Sequence, residues 1–139
     1  NSLADPMLLM AFVDGRARAL IDFDLLHAAP RVDEVVNALL WWADFNDPAD
    51  RDPLMRAVDT PRRCGLFVEE YGLSRAERSV LVETAQVRRE RSWHLMRHNA
   101  ETLGGGWARM WHDGVGDVIV RGQRYLDTQA DAMNRAIGA

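Results

Sequence analysis

The sequence predicts a mainly α-helical fold with an α+β remnant: one short N-terminal β-hairpin, then a subdomain of four or five helices. Three observations carry that expectation. Strand-like patterning is confined to the first 23 residues. From Pro30 onward the apolar residues recur at helical spacing. Start and stop signals (Thr60-Pro61, Gly72, Ser74 with Glu77, Gly138) then divide the remainder into helices.

Residues 7–13 are an apolar run, Asp14-Gly15 is a hairpin-turn signal, and residues 16–23 resume with Ala19-Leu20-Ile21. A lone two-stranded hairpin is marginal in water, so this one is expected to pack on something else. Next, Val32, Val35, Val36, Leu39, Trp42 and Ala43 share one face of a helix, and Trp41 lies opposite. Residues 45–53, rich in Asp, Asn and Pro, predict a loop. Thr60-Pro61 reads as an N-cap with proline at the first helical position, and Gly72 stops that helix after Tyr71. Ser74 and Glu77 form a capping box opening the longest helix, which runs to about Asn99. Leu81, Val82, Ala85, Trp93 and Met96 fall on one arc of its wheel. Gly104 to Gly106 predict a break, residues 107–112 a short helical segment, and residues 118–136 a last amphipathic helix. Two units follow: residues 1–31 with the hairpin, and residues 32–139 as one compact helical unit.

At 139 residues the chain can bury a real core, and 47% hydrophobic with 27% charged residues is ordinary for a globular domain. A net charge of −4 argues against nucleic-acid and membrane-surface partners. All 17 basic residues are arginine, which with abundant Ala and Val suggests a GC-rich bacterial genome. Cys64 is the sole cysteine, so an intrachain disulfide is excluded and a cysteine-based metal site is not expected. No basic region precedes the first apolar run, and no stretch approaches a membrane span. A cytoplasmic location is the expectation.

An apolar strand ending in Asp22-Phe23-Asp24 puts both carboxylates on one side of the chain, because strand side chains alternate. Two carboxylates past a buried strand make a hard-oxygen site suited to Mg²⁺. The spacing alone leaves a second reading open, in which they cap a turn or the next helix.

A turn, then Leu20-Ile21-Asp22-Phe23-Asp24, then Pro30-Arg31-Val32-Asp33 opening a helix, resembles the metal-binding region of bacterial aminoglycoside-phosphotransferase-family proteins. The run from Phe67 to Leu73 is similar to the helix end that leads into that family's C-terminal helical subdomain. The resemblance implies a fold like the C-terminal lobe of a protein-kinase-like phosphotransferase, with Mg²⁺ and ATP or GTP as cofactors and Asp22 and Asp24 as metal ligands. Arg31 and Asp33 are then structural, fixing the loop and capping the following helix. A small polar substrate is expected near Asp44, Asp47, Glu69 or Glu70, with Trp41 as a pocket wall.

The departures from the family matter equally. Its catalytic loop, of the type His-Asn-Asp-Leu-Ala-Pro, is replaced by Asn1-Ser2-Leu3-Ala4-Asp5-Pro6. Ser2 stands at the catalytic aspartate position, and its hydroxyl is too weak a base at neutral pH. Asp5 substitutes only if the loop is re-registered. Met7 falls near the metal-binding asparagine, and a thioether is a poor Mg²⁺ ligand. No glycine-rich phosphate loop follows a strand, and no lysine exists to hold nucleotide phosphates. The expectation is a truncated or degenerate family member, inactive as this chain alone. The alternative is a non-enzymatic helical domain binding a small molecule or partner, or a homodimer joined through an exposed former lobe interface.

The remaining candidates have plainer readings. His94 and His98, four residues apart, lack a His-Glu-x-x-His pattern and read as helix-surface residues. His27 reads as a loop residue, Cys64 as a buried small side chain, and Arg88-Arg89-Glu90-Arg91 as a solvated helix face.

Overall fold

The computed structural model describes residues 10–20 and 30–139. Ser2, Asp5, Met7, Asp22, Asp24 and His27 lie outside the described residues. Strands β1 (Met10–Val13) and β2 (Arg16–Leu20) pair antiparallel, with a register shift between Ala11 and Phe12. Asp14 and Gly15 both take positive φ, 52° and 72°, as a two-residue primed turn requires.

Five α-helices follow among the described residues: α1 (Arg31–Leu39), α2 (Thr60–Tyr71), α3 (Arg75–Thr102), α4 (Gly105–His112) and α5 (Val115–Ile137). The described chain is therefore mainly helical. Helix α5 packs on both α2 and α3, while α1 and α4 lie against α3. One apolar cluster runs through Val35, Val36, Leu39, Cys64, Val68, Leu81, Val82, Leu126 and Met133. It ties α1, α2, α3 and α5 together. At the α2–α5 crossing Gly65 keeps the helices close: a β-carbon there would sit 2.6 Å from the Ala136 carbonyl oxygen.

Several boundaries differ from the sequence expectation for local reasons. The N-cap of α2 is Asp59, whose carboxylate accepts from the Arg62 N–H at 3.0 Å. Thr60 is the first helical residue instead, fully buried, its hydroxyl donating to the Ala43 carbonyl at 2.8 Å. Gly72 closes α2 in the left-handed region at φ 76°, a conformation glycine adopts without steric penalty. The capping box of α3 forms as read: Ser74 Oγ accepts from the Glu77 N–H, and Glu77 accepts from the Ser74 N–H. Helix α3 extends to Thr102, and the glycine break narrows to Gly104, with Gly105 and Gly106 inside the first turn of α4. Asp33 does not cap α1; Pro30 holds that position without a side-chain bond, and Asp33 sits in the first turn. There its charge faces the positive end of the helix.

Arg89 is the clearest correction. The charge run predicts a solvated face, yet Arg89 is only 8% exposed. It falls on the same arc as Val82, Ala85 and Met96, and an arginine on that arc goes inward.

Candidate functional site

Helix α1 continues into a π-helical turn, Leu40–Asp44, an insertion common near functional sites. The turn ends at Asp44, a buried residue with φ 54°, which short polar side chains tolerate better than most. From here the chain winds around a buried cation. Arg51 donates to the Asn46 carbonyl at 2.9 Å, the Val58 carbonyl at 3.2 Å and the Thr60 hydroxyl at 3.1 Å. Its guanidinium also lies 4.8 Å from the Tyr125 ring centre and 3.9 Å from Asp44 Oδ1.

Two further arginines close this corner from the long helices. Arg89 reaches across from α3 and donates through Nη2 to Asn46 Oδ1, while its Nε has no partner among the described residues. Arg121 of α5 grips Asp50 with two bonds of 2.7 Å each. Two ion pairs thus stand in this corner, Asp44 with Arg51 and Asp50 with Arg121, with Arg89 beside them on Asn46. The Arg121 hydrogen bonds hold the Asp50 carboxyl below its ordinary range. Burial pulls the Arg89 guanidinium below its usual value, and the Asp44 and Asp50 charges act in the opposite direction. An arginine keeps its proton regardless.

Asp47 caps the 3₁₀ turn Pro48–Asp50 by accepting from the Ala49 N–H at 2.9 Å. Asp44 accepts from the Asn46 N–H at 3.2 Å. The carboxylates of this corner are therefore engaged by the chain itself. Trp41 stands on the π-turn, 38% exposed, and Glu69 on the outer side of α2. Among the described residues no hydrogen bond or ion pair links either to Asp44 or Asp47.

Beside the corner, Trp42, Arg63, Leu66, Phe67, Glu70 and Tyr71 line an open groove of about 690 Å³. Arg63 Nη1 donates to the Trp42 carbonyl at 2.7 Å, and Phe67 stacks on Tyr71 with ring centres 6.2 Å apart. The Tyr71 hydroxyl donates to Glu34 at 3.2 Å. Arg31, at the start of α1, spans the α2–α3 corner: it donates to the Gly72 carbonyl at 3.3 Å and to Glu77 at 3.4 Å, and covers the Tyr71 ring.

Among the described residues no group of three His, Cys, Asp or Glu side chains is placed to hold a metal ion. His94 packs edge-on against Trp93. Cys64 is fully buried, and burial pushes its thiol pKa up to about 12, so it is no nucleophile. No protein-family model matches the chain, and neither a curated protein nor a solved structure matches it. The sequence reading missed Arg51, Arg89 and the Asp50–Arg121 pair. Only Arg89 left a signal, its place on the buried arc of α3.

Proposed function

We propose that this chain is the helical, substrate-side portion of an aminoglycoside-phosphotransferase-like protein, with Asp22 and Asp24 as the metal-binding carboxylates. The observation that carries this reading is the Asp22-Phe23-Asp24 and Pro30-Arg31 constellation in the sequence. The contacts of Arg31 support it, because they tie the residue that follows this segment to the α2–α3 corner. Bound at Asp22 and Asp24, Mg²⁺ would supply neutralisation of phosphate charge. What the chain's own side chains contribute is orientation. Arg31 fixes the entry to α1, and the Arg51-centred network holds the 44–60 segment in one conformation. A hydroxylated, polar small molecule is the substrate class this reading calls for. A general base is the part the chain lacks, since Ser2 stands where an aspartate is required.

The test is calorimetric titration of the chain with ADP or ATP, with and without Mg²⁺, alongside Asp22→Ala. Magnesium-dependent binding that disappears in Asp22→Ala is the expected result. Absence of binding by the unaltered chain would sink the reading.

A further inference from the structure

Helix α2 carries its charges against its own dipole. Arg62 and Arg63 stand near its start and Glu69 and Glu70 near its end, with no acidic residue in the first turn and no basic residue in the last. The start of a helix is its positive end and the finish its negative end, so all four charges are unfavourably placed in an isolated helix. The fold offsets this only in part. Asp59 caps the start, Arg31 donates to the Tyr71 and Gly72 carbonyls at the finish, and Arg63 donates to the Trp42 carbonyl, yet the four charges keep their unfavourable order along the helix. All four residues are exposed, and among the described residues none enters an ion pair. Midway between the two charge pairs is Leu66, 55% exposed. By helical geometry these five residues share the stripe facing away from Cys64 and Val68, which are buried.

The stripe is complementary to itself. We infer that it is the seam of a homodimer, in which α2 packs antiparallel against α2 of a second copy about a two-fold axis at Leu66. Such an axis sets residues before Leu66 against residues after it on the same flank of the stripe. Arg62 then faces the partner's Glu69, and Arg63 faces the partner's Glu70, each pair occurring twice. Each helix start also lies beside the partner's helix end, which reverses the dipole penalty within each monomer. Leu66 meets its own copy, and the adjoining groove with Trp42, Phe67 and Tyr71 adds apolar surface. A parallel pairing would set arginine on arginine and glutamate on glutamate. The order of charges therefore selects a second copy in one orientation. This inference needs neither nucleotide nor metal, and stands apart from the phosphotransferase reading.

The test uses the 139-residue chain in analytical ultracentrifugation over a wide concentration range, at low and high salt. Two variants accompany it: R62E/R63E, with four acidic residues along the stripe, and E69R/E70R, with four basic ones. Each swap favours its own helix dipole, so both variants should fold, which far-UV circular dichroism checks. The unaltered chain should show a monomer–dimer equilibrium weakened about tenfold or more by high salt. Each variant alone should be monomeric, and an equimolar mixture of the two should regain the dimer. A wild-type chain that stays monomeric, a variant that dimerises alone as well as wild type, or a mixture that stays monomeric would each overturn the inference. Leu66→Glu, at the centre of the seam, provides an independent variant with the same expected loss.

Discussion

Replacing Gly122 by alanine adds one methyl group at the point where α5 passes under Arg89. A β-carbon there would lie 2.8 Å from the Arg89 Cζ and 2.9 Å from its Nε, inside van der Waals contact. On an exposed helix the same change would stabilise by up to about 1 kcal/mol, because glycine is a poor helix former. Here the methyl has to displace a buried guanidinium. Overpacking a filled site costs about 1–3 kcal/mol. If the displaced side chain also loses its bond to Asn46, a further contribution of about 1.5–3 kcal/mol is at stake. The clash outweighs the propensity gain, and Gly122→Ala should destabilise by about 1–3 kcal/mol. Urea unfolding followed by circular dichroism measures this directly. A double-mutant cycle sharpens it: once Arg89→Ala has removed the guanidinium, the same glycine substitution should be neutral or stabilising. Stabilisation by Gly122→Ala in the unaltered background would refute the claim that Arg89 fills the space over this glycine.

Other features make separate predictions. Ser74→Ala removes the cap of α3 and should lower stability by about 1 kcal/mol in the same assay. The Asp50 and Glu77 carboxyls are both held below their ordinary values, Asp50 by the Arg121 hydrogen bonds and Glu77 by the Ser74 N–H and hydroxyl. Depressed carboxyls contribute stability that is present above the unfolded value of about 4 and lost as pH falls through the native values. The thermal midpoint should therefore drop on acidification below about pH 4, and less steeply in Asp50→Asn. Cys64, fully buried with its thiol pushed up to about 12, should resist a thiol reagent at pH 8 and react only on unfolding in urea. Rapid labelling of the native chain would contradict its burial.

How far the sequence reveals the fold depends on whether local chemistry decides the outcome. Ser74 with Glu77 and the glycines at 72 and 138 set helix ends by local hydrogen bonding and backbone freedom, and those ends lie where the sequence reading puts them. Asp59 and Thr60 divide differently, because the Thr60 hydroxyl has a better partner in Ala43, distant in sequence, than in its own first turn. Helical spacing places Trp42 with the buried face of α1, but the π-turn adds a residue to the helical repeat there, and Trp42 lines the groove instead. The Asp50–Arg121 contact joins residues 71 apart, so only the packing of α5 creates it. Of the substrate-side residues read from sequence, Asp44 and Asp47 come together in one corner, whereas Glu69 sits on another surface.

The measurement closest to the central claim is electron paramagnetic resonance of Mn²⁺, a spectroscopic stand-in for Mg²⁺, added to the chain with ADP. The account predicts loss of the free-ion signal on adding protein and nucleotide, and its full return in Asp22→Asn with Asp24→Asn. An unchanged free-ion signal with the unaltered chain, or undiminished Mn²⁺ binding in the doubly substituted one, would contradict it.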